Sequence, residues 1–409
     1  MRNRVVITGC GAISALGNSV AELTQSLRYG RTGVRLVPGD PSTSPIAAAC
    51  PQLDSANEEL SASDRALFDP VTRYAMHAAS EALSQSGLLN DRQLSKRTAV
   101  FIGTALGGAN STEEAHRNIW YHGAPPKPLS VLCAMNNAPA AHLSIRFSLC
   151  GPNITYSIAC ASSAIAIGDA FHAIREGRIA CALAGGAEAC VTPVVLRAWR
   201  SMRILASVDE RQPGATCKPF ALNRSGLVLG EGAAMVVLEP LESALARGAP
   251  ILCEILGFGS STDGMHICIP STEGQSAAIA DALDDARIGP ADVRYINAHG
   301  TGTRIGDLSE TRAIRQVFGG HAFSIATSST KSAHGHLLGA SGALELIASL
   351  SALRAGFYPA TLNLQDPDPE CDLDYVPNEP RGGARLDTFL ANSFAFGGSN
   401  AVLICGEPR

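Results

Sequence analysis

Apolar positions along the 409-residue chain fall into two patterns that alternate. Short continuous apolar runs predict strands covered on both faces: Thr98–Gly103, Ala233–Leu238, Ile251–Leu256, Val293–Asn297, Phe323–Thr327, Thr388–Asn392 and Ala401–Ile404. Between them, Asp69–Leu88 has apolar residues recurring every three and four positions, and Leu241–Arg247 stops at Gly248. Both predict helices. Strands alternating with helices predict an α/β fold with covered sheets. Each half opens with a strand read as running into a Gly-rich turn, Val5–Gly11 in the first and Ile255–Gly264 in the second. That echo divides the chain near residue 250, into 1–249 and 250–409. The segments 39–56 and 365–370 carry Pro and polar residues and are expected to be surface connections.

Composition narrows the class. Charged residues are 17%, hydrophobic residues 46%, and the net charge is −5. These values exclude a disordered tail and a strongly basic nucleic-acid binder. No apolar run approaches the ~20 residues that span a bilayer, and Met1–Gly9 is expected to be a first strand, not a secretory signal. A cytoplasmic location without a membrane partner is expected. The twelve cysteines are scattered, with no C-x-x-C pair, and are expected to be small buried hydrophobes. Gly9-Cys10-Gly11 lacks the third glycine and the later acidic residue of a dinucleotide-binding turn.

Four segments could carry chemistry. In Ser157–Ala170 a strand expected at Thr155–Ile158 precedes a small-residue helix, and Cys160 sits at the junction. A helix N-terminus favours a thiolate and lowers the thiol pKa, and its N–H groups can hold an oxyanion. Cys160 is therefore either a nucleophile or one more buried cysteine. Tyr295–Thr303 is a strand running into a Gly- and Thr-rich turn with His299 at its tip. Thr330–Gly342 places Lys331, His334 and His336 before a small-residue helix carrying Glu345. His334-x-His336 shows no third ligand at a spacing that would suit zinc, so no metal is expected. Asn392–Asn400 is a Gly-rich turn between two late strands, able to offer N–H groups to a carbonyl.

Together these segments resemble the β-ketoacyl-acyl carrier protein synthases of type II, in the Cys-His-His branch of the thiolase-like superfamily. The likeness extends to Gly185–Ala189 and Gly226–Ala233. It implies a thiolase-like five-layered α-β-α-β-α fold built from two duplicated halves. It further implies a decarboxylative Claisen condensation of a Cys160-bound acyl chain with malonyl-acyl carrier protein, giving a 3-oxoacyl product. By this resemblance Cys160 is the nucleophile, and His299 and His336 stabilise the enolate. Lys331 and Glu345 form a buried charged pair beside them. The N–H groups of Cys160 and Phe396 form the oxyanion hole, with Phe396 the gate over the acyl pocket. Thr301 and Thr303 hold the pantetheine arm, and Leu106 lines the acyl pocket. Asp263 and His266 match a stretch near the site's mouth.

No cofactor is expected to be bound, since the substrates ride on the 4'-phosphopantetheine arm of the carrier. The implied partners are acyl carrier protein and either a second copy of the chain or a chain-length-factor-like subunit. Nucleic acid is not among them. Four departures from the housekeeping pattern point to a dedicated carrier and a specialised polyketide or polyene pathway. Ala395 replaces a gate-loop glycine, Cys268 stands where Thr is usual, His334 where Thr or another residue is more familiar, and Ser61–Phe68 keeps one base, with Arg203 at a second basic position. Competing readings are a chain-length-setting partner without condensing activity, a degradative thiolase and a Cys-His hydrolase. The complete Cys160, His299 and His336 set argues against the first, and the His336 segment against the second.

Overall fold

A computed structural model describes residues 2–37, 46–51, 61, 64 and 67–408. Its centre is a ten-stranded mixed sheet. In chain order the strands are β1 Val5–Ile13, β2 Thr98–Gly103, β3 Asn153–Tyr156, β4 Cys181–Glu188, β5 Gly232–Pro240, β6 Cys253–Thr262, β7 Val293–Asn297, β8 Ala326–Ser328, β9 Thr388–Phe394 and β10 Ser399–Gly406. Their spatial order is β8-β7-β9-β10-β6-β1-β5-β4-β2-β3. The order is palindromic: β1-β5-β4-β2-β3 repeats as β6-β10-β9-β7-β8. The two five-strand sets join antiparallel through Val5–Ile255, Val6–Glu254 and Ile7–Cys253.

Five helices complete the layers: α1 Pro70–Ser86, α2 Ser162–Arg175, α3 Thr272–Ala286, α4 Arg304–Phe318 and α5 Ser341–Arg354. Strand alternation decides which layer each residue serves. On β2, Ala99 and Phe101 enter the central core with α2 and α5, whereas Val100 and Ile102 face α1. On β10, Ala401 and Leu403 face the centre, and Val402 and Ile404 face α3 and α4. The result is α1, five strands, α2 with α5, five strands, then α3 with α4. Both faces of the inner strands are covered, which is why those strands are continuously apolar, whereas the edge strand Asn153–Tyr156 is partly exposed. The middle helices are Ala-rich because the two five-strand sets close on them. A Cβ on Gly168 would lie 2.5 Å from the Phe258 ring.

Helix α1 starts where Asp69 accepts from the Val71 N–H and Pro70 takes the first turn, and it ends at left-handed Gly87. One expectation is corrected here. Gly9 and Gly11 lie inside β1, not in a turn. A Cβ on them would sit 2.1 Å from Ala82 O and 1.9 Å from Ala78 O, so these glycines let α1 lie directly on the strand. Gly257 and Gly259 on β6 play the same part, at 2.6 and 2.2 Å from Ala282 O and Ala278 O of α3. The echo between the halves is thus a helix-on-strand contact.

Smaller corrections concern strand bounds. The segment expected at Phe323–Thr327 is a 3-10 turn through Ser324, with the strand starting only at Ala326. The strand expected at Thr155–Ile158 is Asn153–Tyr156, because Ile158 already belongs to the turn before Cys160. The strand expected at Ile251–Leu256 starts at Cys253 and runs on to Thr262. Of the connection expected at 39–56, residues 46–51 include the buried strand Ala47–Ala49, paired with Leu229–Gly230, and the remainder lies outside the described residues. Most of Ser61–Phe68 lies outside them too. Among the described residues no helix is long and apolar enough to cross a membrane.

Candidate active site

Cys160 stands on the turn that carries the chain from β3 into α2. Ala159 takes φ 42°, a strained value for a residue with a Cβ, and a 3-10 turn spans Ala159–Ala161. Ser162 locks the turn, its Oγ accepting from the Ile158 N–H at 2.8 Å and donating to Ala159 O at 2.7 Å. The second half repeats the device before α5, with Leu338 at φ 42° and a 3-10 turn over Leu338–Ala340. There Gly339 takes the place of Cys160. A Cβ on Gly339 would lie 2.5 Å from Ala105 N, so only one of the two turns has room for a side chain.

His336 arrives from the second turn. Its Nε2 lies 3.0 Å from Cys160 Sγ and its Nδ1 lies 2.8 Å from Ser341 Oγ. The main chain there is pinned, with His336 N–H donating to Val228 O and Gly230 N–H to His336 O. His299 follows β7. Its own N–H and that of Gly300 donate to buried Glu310 at 2.7 and 2.8 Å. The two imidazoles are perpendicular, centroids 5.3 Å apart. Lys331 Nζ lies 3.3 Å from His299 Nδ1 and 2.6 Å from Glu345 Oε1. An ammonium can only donate, so Nδ1 accepts and the His299 proton sits on Nε2.

Burial dominates the electrostatics. It pushes both His299 and His336 well below the ordinary imidazole range, and the Lys331 charge adds to the effect. Both rings are neutral. Burial also lifts the Cys160 thiol to about 12, with the Lys331 charge and the Phe396 backbone N–H pulling the other way. This corrects the expectation of a lowered thiol pKa. Cys160 is 3% exposed, and loss of water outweighs what the helix start and Lys331 return. Burial lifts the Glu345 carboxyl to about 7 against Lys331.

Cys160, His299 and His336 meet at the floor of a cavity of about 700 Å³. Thr301 and Thr303 line it, their hydroxyls 2.9 Å apart. Phe396 lines it too, its ring 5.9 Å from that of Trp199. Arg203, Asp263, His266 and Cys268 are on its wall. Leu106 is not among the lining residues; its side chain is exposed and its N–H donates to Glu188. The donor atoms of Cys160, His299 and His336 all lie within 4.8 Å of one another. His334, close to His336 in sequence, turns away to Thr330 Oγ1 and Gly335 O.

Sequence reasoning missed the carboxylates that hold the turns. Glu310 carries the His299 turn. Glu188 accepts from the N–H groups of Ala105, Leu106 and Gly339 and so ties the two halves together beneath Cys160. Burial raises Glu188 to about 7. Its signal was a single acid ending the apolar run Cys181–Ala187. Glu310 gave none, being one of two acids on a polar helix.

Comparison with known proteins agrees with this geometry. The model described as "Beta-ketoacyl synthase, N-terminal domain" matches residues 2–244, and its C-terminal counterpart matches 252–365. A "Nodulation protein E" of Rhizobium leguminosarum bv. trifolii is 41% identical over 98% of this chain and 99% of its own. A "3-oxoacyl-[acyl-carrier-protein] synthase 2" of Coxiella burnetii is 40% identical over 98% of each. The solved "ishigamide ketosynthase/chain length factor" superposes with TM-score 0.93 at 34% identity, covering all of both chains.

Proposed function

The chain belongs to the β-ketoacyl synthase family and is a condensing acyltransferase of fatty-acid and type II polyketide-like systems, and from that premise we propose that it extends carrier-bound chains in a specialised polyketide or polyene pathway. The observation that carries the chemistry is the 3.0 Å approach of His336 Nε2 to Cys160 Sγ on a cavity floor shared with His299. Cys160 Sγ attacks the thioester carbonyl carbon of an acyl carrier protein. The bond from that carbon to the pantetheine sulfur breaks, and the Cys160 proton passes through His336 to the departing thiolate. While Cys160 is a thiol, its S–H donates to Nε2, and the His336 proton stays on Nδ1 toward Ser341. The Ser341 hydroxyl can donate or accept, so once the sulfur is acylated the ring can carry its proton on Nε2 instead.

A malonyl carrier then takes the cavity, its arm along Thr301 and Thr303. The bond to the carboxyl group breaks, CO2 leaves, and the electron pair forms an enolate. Its oxygen is held by the Nε2–H groups of His299 and His336. Neutral donors fixed in a buried site suit this step, and losing one such donor costs roughly 10²–10³ in rate. The enolate carbon attacks the acyl carbonyl, whose oxygen takes the N–H groups of Cys160 and Phe396. The bond to Sγ breaks, and the thiolate takes one proton from solvent to regenerate the thiol. No bound cofactor takes part.

The specialised pathway is supported by Ala395 in the gate loop, by Cys268 and His334, and by the likeness to a ketosynthase/chain length factor protein. Such a role pairs the chain with a dedicated acyl carrier protein and with a second copy or a chain-length-factor-like subunit. A second reading is that the chain is itself the chain-length-setting partner.

Intact-protein mass spectrometry tests both. Wild type and Cys160→Ala are incubated with short, long, saturated and polyunsaturated acyl carrier proteins, alone and with any co-purifying subunit. A mass gain that requires Cys160 is expected, and a preference for polyunsaturated chains marks the specialised pathway. No gain with any carrier or subunit would leave the partner reading standing and sink the catalytic one.

A further inference from the structure

The imidazole of His334 is fully buried two residues before His336 and touches no part of the cavity. Its Nδ1 lies 2.8 Å from Gly335 O, which can only accept, so the ring proton sits on Nδ1 and Nε2 accepts. Nε2 lies 3.0 Å from Thr330 Oγ1, so the Thr330 hydroxyl donates to it. That hydroxyl oxygen in turn accepts from Asn297 Nδ2 at 3.2 Å. Asn297 also donates to Ser349 Oγ at 2.9 Å on α5. The bonds run one way: Asn297 to Thr330, Thr330 to His334, His334 to Gly335. Asn297 is two residues before His299, and Gly335 is the residue before His336. Gly335 takes φ 71°, and a Cβ there would lie 3.0 Å from Leu229 O, so its peptide has one orientation to be held in.

We propose that His334 is a positioning residue: with Thr330 and Asn297 it forms a buried relay that fixes the His336 turn against the His299 strand and so sets the separation of the two imidazoles. The proposal rests on the two-histidine reading of decarboxylation above. Loading of Cys160 uses only His336, already beside the sulfur. Decarboxylation needs both Nε2–H groups at one oxygen, and displacement of a reacting group by about 1 Å can cost ~10² in rate. His336 keeps its anchors on Val228, Gly230 and Ser341 when the relay is cut, so the change falls on its separation from His299 and slows decarboxylation more than loading.

The link is cut from either side. Thr330→Val removes the hydroxyl at constant shape. His334→Asn keeps a donor for Gly335 O and loses the acceptor for Thr330. Thr330→Ser restores the hydroxyl. Two half-reactions are measured on each protein: acyl transfer to Cys160 by intact mass, and conversion of malonyl to acetyl carrier protein. For both cutting variants decarboxylation is expected to fall at least about tenfold while loading stays within about twofold, with Thr330→Ser near wild type. Equal loss in the two half-reactions, or no loss, overturns the relay. Should His334→Asn not fold, Thr330→Val alone decides. A wild type that neither loads nor decarboxylates overturns the proposed function instead, and crystal structures of Thr330→Val and wild type then decide the relay without activity. Rings that hold the same separation and angle in both would overturn it, and displaced rings support it.

Discussion

Lys331→Met takes the ammonium away from a carboxyl that has no water to turn to. Glu345 is 1% exposed, and burial holds it at about 7 with Lys331 the main influence pulling it down. In the unfolded chain a glutamate titrates near about 4.3. From about pH 4.3 to 7 the folded state therefore holds a proton that the unfolded state has lost, and stability falls as pH rises, in wild type and variant alike. Above pH 7 wild-type Glu345 releases its proton and this loss stops. In the variant the pKa is higher still, so the loss continues at about 1.4 kcal/mol per pH unit until the new pKa is reached.

The gap between the two proteins is thus small at pH 6, apart from a constant part from altered contacts. By pH 8 it has grown by about 1.4 kcal/mol. Urea unfolding midpoints at pH 6, 7, 8 and 9 measure it, and the pH at which the gap levels off gives the variant's Glu345 pKa. A gap constant from pH 6 to 9 would refute the reasoning and mean that Glu345 keeps its charge without Lys331. Adding Glu345→Leu to the variant removes the pH-dependent part.

Other outcomes follow from the same geometry. Because burial lifts the Cys160 thiol to about 12, its alkylation by iodoacetamide should climb about tenfold per pH unit from pH 7 to 9; a plateau below pH 8 would contradict a buried thiol. Gly339→Ala places a Cβ 2.5 Å from Ala105 N and 2.7 Å from Thr104 Cα, so it should cost about 1–3 kcal/mol or more. Gly320→Ala, with nothing within 4 Å, is its neutral control in thermal unfolding. Glu310→Gln replaces an oxygen that accepts from the His299 turn with a donor, at about 1–3 kcal/mol, and should slow decarboxylation more than Cys160 loading; equal slowing would place Glu310 outside the His299 turn's support.

How much of the fold and site is legible in the chain depends on range. Strand and helix types are readable because burial on two faces forces continuous apolar runs, and a helix buried along one face shows apolar residues every three and four. The expected Thr98–Gly103 and Asp69–Leu88 match the observed elements to within two residues for that reason. The four segments bearing Cys160, His299, His336 and Phe396 are also readable, since each sets small residues around side chains or N–H groups suited to chemistry, and the resemblance of all four together gave them their roles. Gly9 and Gly11 mislead, reading as a turn where the chain runs straight. Glycine marks both positive φ and close approach, and only the partner helix, some seventy residues on, tells which.

The sequence by itself determined the element types, the echo between the halves and the identities of the groups that meet at Cys160. The tertiary structure alone decided their protonation and support. Whether a thiol is raised or lowered depends on the balance between lost water and nearby charge, and both come from residues distant in the chain. Lys331 fixes the His299 proton, Glu188 ties Ala105 to Gly339, and Thr330 joins Asn297 to His334. Each link rests on a few hydrogen bonds or an ion pair that bring together segments far apart in the chain, so nothing local could announce it.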